Sequence, residues 1–329
     1  MLHEDAKLKE NIFDKPEMTP TRDGFGKGLL ELGETNKAVV ALCADLAEST
    51  RILPFKEKYP DRYVELGVAE QNLATIASGL ANYGKIPFIA SYATFSPGRN
   101  NEQIRTTVAL NNVPVKIAGH HAGVSVGPDG ASHQALEDIA LMRVIPRMTV
   151  ISPCDAEEAR KATLAAAAYP GPVYVRFARE KSPAMTTGET PFELGKAQVL
   201  WESDHKPEVV IFATGPILYQ ALLAAKELEH ELPVVVVNIH TIKPIDVEAV
   251  TQFAQAAGAV VTVEEHQVAG GLGSAVAEVL AKNTPIPQEF VGVQDQFGQS
   301  GEMAELYKFY KMDAPAIANA IRKAASRKK

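Results

Sequence analysis

Leu66-Gly-Val-Ala-Glu70-Gln-Asn-Leu-Ala-Thr-Ile-Ala-Ser78 is the stretch on which the reading of the fold turns. Arg62 to Leu66 is short and strand-like, Gly67 breaks it, and the residues that follow take a helical period. Leu73, Ile76, Ala77 and Leu80 supply the apolar stripe of that helix. At about 100° per residue, Glu70 projects at the edge of this stripe and not on the opposite, solvated face. A strand passing through glycine into a helix is half of a βαβ unit, and Glu70 stands where parallel sheets place ligands, beyond the carboxyl end of a strand. A carboxylate in a first helical turn is also favoured by the free N–H groups there, so position alone leaves a capping role and a site role both open.

The same alternation continues on either side. Thr21 is placed to cap a helix carrying Phe25, Leu29, Leu30 and Leu32. Arg22 lies in its first turn, where a cation opposes the helix dipole and is either a solvated surface group or the answer to an anion. Ala38–Cys43 is a continuous apolar run, expected to be a buried strand, and it ends in Ala44-Asp45-Leu-Ala-Glu-Ser49. Further strands are expected at 87–92, 115–119, 149–152 and 173–177, with helices starting after Ser96-Pro97, capped by Ser132, and over 155–168. Asp45, Glu70, Phe95, His121 and Arg179 all fall just past strand ends.

From Glu180 to Glu193 the chain is polar, proline-containing and without period, as a linker would be. Strands then recur at 209–213, 234–239, 259–263 and 289–293. The expectation is an α/β protein of two domains, each a mostly parallel sheet flanked by helices. The first spans 1–190 with an N-terminal extension over 1–20, and the second spans 191–329. Gly270-Gly-Leu-Gly273 is incomplete as a dinucleotide fingerprint and reads as a turn or a small anion nest.

With 33 Lys+Arg against 40 Asp+Glu, the net charge of −7 argues against a surface that tracks nucleic-acid phosphates. No apolar stretch reaches membrane-spanning length, and the N-terminal residues mix both charge signs where a signal peptide needs an apolar run. Cys43 and Cys154 are far apart in apolar surroundings, giving neither a disulfide framework nor a metal-ligand spacing, so a cytoplasmic protein without a metal of its own is expected.

Taken together and in this order, Ala44-Asp45-Leu-Ala-Glu-Ser49, Gly67-Val-Ala-Glu70, Ala93-Thr-Phe95, His121, Gly127-Pro-Asp129-Gly-Ala-Ser-His133-Gln and Arg176-Phe-Ala-Arg179 resemble transketolase. The resemblance runs from about Thr21 to the end and corresponds to the second half of a full-length member. In that family a Gly-Asp-Gly motif in another domain holds the diphosphate of thiamine diphosphate and a divalent metal, and this sequence contains no Gly-Asp-Gly. The resemblance therefore implies the pyrimidine-binding and C-terminal domains of a split transketolase. Its partner would be a separate diphosphate-binding subunit holding Mg2+ or Ca2+, in a heterotetramer of two copies of each chain. The implied reaction is two-carbon ketol transfer between a ketose phosphate and an aldose phosphate, as in the pentose phosphate pathway.

The resemblance also assigns roles. Glu70 would hold the proton on N1′ of the cofactor's aminopyrimidine, so that the 4′-amino group can take the proton from thiazolium C2. An inward, desolvated carboxyl suits that task. Phe95 matches the aromatic that packs on the pyrimidine, and its ordinary alternative is a core phenylalanine. Two further family aromatics are replaced by Gly98 and Asn101. Asp45 is a further cofactor-side residue. Arg22, Ser49, His121 and Arg179 match positions that hold the sugar's phosphate, where charge-assisted bonds are worth ~1.5–3 kcal/mol each. Asp129 matches a contact to a substrate hydroxyl, although Pro128 stands where relatives usually carry an acid, and His133 matches a histidine near the reacting carbon. The alternatives are a deoxyxylulose phosphate synthase, which shares His133-Gln134 but fits Phe297-Gly-Gln-Ser-Gly301 less well, a 2-oxoacid dehydrogenase beta subunit, and a non-catalytic half that only dimerises.

Overall fold

The computed structural model describes residues 1–328. A seven-stranded sheet runs in the order Thr241–Lys243, Thr149–Ile151, Val173–Arg176, Lys116–His120, Ile86–Tyr92, Val39–Cys43, Tyr63–Glu65. Every pairing in it is parallel except that of Thr241–Lys243 with Thr149–Ile151. A five-stranded sheet runs Gln288–Val293, Val260–Gln267, Val209–Ala213, Val234–Asn238, Gln198–Glu202, with the last strand antiparallel. The strands are buried on both faces because helices cover both, which is why Val39–Cys43 reads as an uninterrupted apolar run. Its alternate residues feed two cores. Val39, Ala41 and Cys43 meet the helices Thr21–Thr35 and Ala156–Ala168, whereas Val40 and Leu42 meet Leu73, Ala74 and Ala77 of the Glu70–Asn82 helix. The pair of helices lies close because Gly24 has no side chain: a Cβ there would stand 1.9 Å from the Ala156 carbonyl oxygen.

Several local expectations change. Thr21 is the first helical residue and not the cap, and its hydroxyl instead accepts from the Ala178 N–H at 2.7 Å, tying the helix start to the Arg179 loop. No regular helix starts at Pro97. The chain coils in tight turns from Ala93 to Asn100, where a Cβ on Gly98 would lie 2.0 Å from the Thr94 carbonyl oxygen, and helix resumes only at Asn101. Ser132 caps nothing: it ends an irregular segment, Val124–Ser132, and the next helix opens at Asp138. The stripe of the Glu70 helix is also rotated from the expected one. Ile76 is exposed, and Leu73, Ala74, Ala77 and Ala81 are buried in line with Glu70.

The polar stretch from Glu180 to Glu193 is fastened down. Ser182–Pro183 pairs antiparallel with Met18–Thr19, and Asp155 accepts from the amides of Met185 and Thr186 at 2.7 and 2.6 Å. Residues Ala6 and Ile12 pack into the core of the five-stranded sheet, and Leu2 bridges to Trp201. Gly270-Gly-Leu-Gly273 does form a nest, and it is filled from within. The buried carboxylate of Glu264 accepts from the amides of Leu272 and Gly273 at 2.7 and 2.8 Å, and burial pushes its pKa up to about 7.

Candidate active site

Gly67 takes φ +65°, a left-handed conformation that glycine adopts without strain, and so turns the chain from Tyr63–Glu65 into the Glu70–Asn82 helix. This turn is held by Glu65, whose carboxylate accepts from the amides of Asp45, Leu66 and Gly67 at 2.8, 3.1 and 3.1 Å and from the Tyr63 hydroxyl. Burial pushes the Glu65 carboxyl up, but the Tyr63 hydroxyl and those N–H groups outweigh it and hold it below its ordinary range. Sequence reasoning passed over Glu65. Its alternation with Tyr63 at a strand end is a weak signal, since only the turn geometry gives it three donors.

Glu70 is 4 % exposed. Its backbone carbonyl accepts from the buried side chain of Asn100 at 2.9 Å, and both carboxylate oxygens lie 3.3 Å from Nη1 of Arg99. The Arg99 guanidinium carbon sits 4.1 Å from the centre of the Phe95 ring, so Phe95, Arg99 and Glu70 form one contiguous group. Val68, Ala69, Glu70, Gln71, Asn72 and Arg99 line an open hollow at the helix start. A buried carboxyl reached from this hollow, with an aromatic beside it, fits the protonated nitrogen of a flat heteroaromatic ring. Among the described residues, no cluster of three or more His, Cys, Asp or Glu side chains could hold a metal ion.

A second group assembles from four strand ends. Nη1 of Arg22 donates to the Ser49 carbonyl oxygen at 3.0 Å and to Nε2 of His121 at 3.0 Å. Because a guanidinium only donates, Nε2 of His121 is the acceptor and Nδ1 carries the hydrogen. Burial, with the charges of Arg22 and Arg179, lowers the His121 pKa to about 3, so the ring is neutral. Its backbone is left-handed at φ +55°, and its ring stacks on Tyr92 with centroids 4.0 Å apart. Tyr92 also contacts Phe95 at 5.9 Å and His133 at 5.9 Å, which joins the Arg22–His121 group to the Phe95–Glu70 group through one aromatic cluster. Tyr92 was missed because a strand-end tyrosine carries no spacing signal of its own.

Arg179 donates to the Val126 carbonyl at 3.0 Å and to Glu180 at 2.9 Å, and its charge is felt at both Arg22 and His121. Ser49 joins through its carbonyl. His133 meets the Phe95 ring edge-on at 5.5 Å, with Nδ1 at 2.9 Å from the Ser132 hydroxyl. Asp45 is exposed, at φ +59°, and its amide is bound to Glu65. Asp129 is exposed at the tip of the Val124–Ser132 segment. The contacts above join Glu70, Phe95, His133, His121, Arg22 and Ser49, whereas Asp45 and Asp129 are exposed.

Comparison with known proteins gives a consistent result. Residues 17–184 match the family described as "Transketolase, pyrimidine binding domain" and residues 195–317 match "Transketolase, C-terminal domain". The chain is 43% identical over 304 residues to "Putative transketolase C-terminal section" of Methanocaldococcus jannaschii, covering 91% of this chain and 94% of that one. It is 40% identical over 308 residues to "6-deoxy-6-sulfo-D-fructose transketolase subunit SqwH" of Clostridium sp. (strain MSTE9), covering 93% and 95%. A solved structure described as "Split gene transketolase, inactive beta4 tetramer" superposes with TM-score 0.87 at 45% identity, covering 94% of this chain and 99% of that chain.

Proposed function

Since this chain belongs to the transketolase family, we propose that it is the subunit of a two-chain transketolase that binds the aminopyrimidine end of thiamine diphosphate and the phosphate of the sugar. The observation that carries this reading is the buried carboxylate of Glu70 at a helix start, facing the hollow beside Phe95. When bound, the cofactor supplies a nucleophilic carbon that accepts the two-carbon unit. Glu70 holds the pyrimidine nitrogen proton, Phe95 packs on the ring, and His133, edge-on to Phe95, is placed to handle a proton near the reacting carbon. Arg22, His121 and Arg179 hold the substrate's phosphate, with Arg22 oriented by the Ser49 carbonyl. Asp129 and Asp45 serve at the rim, toward a sugar hydroxyl and the cofactor respectively.

The diphosphate and its divalent metal belong to a separate subunit in this reading. The sequence has no Gly-Asp-Gly, and the relatives matched along nearly their full length are themselves transketolase sections or subunits. The proposed assembly is a heterotetramer of two copies of each chain in a reducing, cytoplasmic setting, which suits the free buried Cys43 and Cys154. No helix among the described residues is long and apolar enough to cross a membrane. The test is reconstitution with a Gly-Asp-Gly subunit and an assay of ketol transfer between sugar phosphates, beside calorimetry on this chain alone. Transfer by the pair and weak cofactor binding by the single chain are expected. Tight, metal-dependent binding by the single chain would overturn the two-chain reading, and condensation of a 2-oxoacid in place of ketol transfer would point to the synthase.

A further inference from the structure

The segment that carries Asp129 and leads into His133 is gripped from the other domain. Its base is closed by the Gly123 N–H donating to the Ala135 carbonyl at 2.9 Å. Between them the segment forms short 3₁₀ turns, which Gly127 and Gly130, at φ +76° and +69° on either side of Pro128, interrupt. From its own domain it is held by Gln134, whose side chain donates to the Val124 carbonyl at 2.9 Å, and by Arg179, and from the other domain by the five-stranded sheet and the segment beyond it. Glu265, on strand Val260–Gln267, is 2 % exposed and accepts the Ser125 N–H at 3.0 Å. Its other carboxylate oxygen accepts from the buried Tyr307 hydroxyl, and its backbone carbonyl accepts from Arg176 at 2.8 Å. The fit is close: a Cβ on Gly123 would stand 2.5 Å from the Glu265 carboxylate, and one on Gly130 would stand 2.5 Å from the Ser300 hydroxyl. The peptide that Glu265 fixes is directly followed by Val126, whose carbonyl accepts from Arg179.

A carboxylate buried this deeply is costly unless every lone pair is matched, and a helix-covered sheet has no packing need for one. We propose that Glu265, oriented by Tyr307, is a positioning residue through which the C-terminal domain sets the Val124–Ser132 loop and, through Val126, aims the Arg179 guanidinium at the anionic end of the substrate. The anionic end rests on the sugar-phosphate reading above, whereas the loop's dependence on Glu265 does not. That dependence gives the C-terminal domain a part in substrate binding although it contributes no residue to the Glu70 hollow.

The test uses Glu265→Ala, Glu265→Gln and Tyr307→Phe in the full chain, the last keeping the packing if the alanine variant folds poorly. Amide hydrogen exchange over 124–132 should rise about tenfold in the Ala and Phe variants, as expected for a lost buried, charge-assisted bond, with the strands of both sheets unchanged. Glu265→Gln, which keeps an acceptor for Ser125, should restore most of the protection. In the reconstituted enzyme, KM for phosphorylated sugars should rise by about tenfold with kcat changed far less. Unchanged exchange in the loop, a rise shared by the whole five-stranded sheet, or an unchanged KM would overturn the proposal. If the parent pair transfers no ketol unit, the functional reading fails and the exchange result still decides whether Glu265 sets the loop.

Discussion

In the proposed function Arg22 and His121 divide the work of meeting an anion. Arg22 supplies charge, and the neutral imidazole accepts from it and presents Nδ1–H, a buried donor without a hydrogen-bond partner among the described residues. The folded pKa of about 3 lies below the ordinary value of about 6.5. The unfolded chain therefore binds more protons in that interval, and the stability contributed by the neutral ring, complete above about pH 6.5, is lost as pH falls toward 3. Replacing His121 by Asn should flatten this part of the acid-denaturation curve. It should also remove no step from the pH profile of KM between pH 5 and 8, a range in which the ring does not titrate; a step near 6.5 that vanished in the variant would contradict the neutral assignment. Replacing Arg22 or Arg179 by Ala should raise KM for phosphorylated substrates by the equivalent of ~1.5–3 kcal/mol and leave unphosphorylated ones nearly untouched. Equal effects on both would place the anion elsewhere. Sequence spacing put His121 and Arg179 past strand ends and Arg22 in a first helical turn, but the contacts that orient them were out of its reach: the Ser49 backbone carbonyl and the Tyr92 ring have no counterpart in a motif.

The elements that carry the site were legible wherever burial and period agree. The strands at Val39–Cys43, Ile86–Tyr92 and Lys116–His120 lie within a residue or so of expectation because short, mostly apolar runs leave little choice in a doubly covered sheet. The helices expected to start at Ser96-Pro97 and Ser132 open later, at Asn101 and Asp138, because serine and proline signal a helix start only where the chain can continue. There it is diverted, by the close turn at Gly98 and by the left-handed glycines of Val124–Ser132. Asp155, expected as the first residue of the helix over 155–168, stands just before it as its cap. It caps Ala156–Ala168 by accepting from Glu158 at 2.9 Å, and it also takes the amides of Met185 and Thr186 and the Thr186 hydroxyl. Asp155→Ala therefore removes a cap worth ~1–2 kcal/mol and strands buried amides at ~1–3 kcal/mol, for a combined loss of about 3 kcal/mol. Urea unfolding should show it as a lowered midpoint, and a loss below about 1 kcal/mol would mean that the 180–190 stretch is held by other contacts.

At the scale of the whole molecule the two halves are interleaved more than any linear reading conveys. Thr241–Lys243, from the second half, pairs with Thr149–Ile151 at the end of the seven-stranded sheet, the N-terminal Ala6 and Ile12 lie in the core of the five-stranded one, and Glu265 reaches the site loop. A three-residue strand has too few positions to show a period, and contacts across more than a hundred residues leave no local trace, so this part of the architecture was hidden from the sequence. The interleaving ties the site to both sheets, and in the function proposed above its buried Glu70 carboxyl meets a cofactor whose diphosphate another chain would hold. The most direct measurement is exchange of the C2 proton of thiamine diphosphate for deuterium in the reconstituted complex, comparing the parent with Glu70→Gln. Gln keeps the size and a hydrogen bond but not the exchangeable proton, so exchange and kcat should fall together by about 10²–10⁴-fold while subunit association and folding stay near those of the parent. Exchange within a few-fold of the parent would make Glu70 a helix-start carboxylate worth only ~0.3–1 kcal/mol of stability, and the account of the site would be wrong.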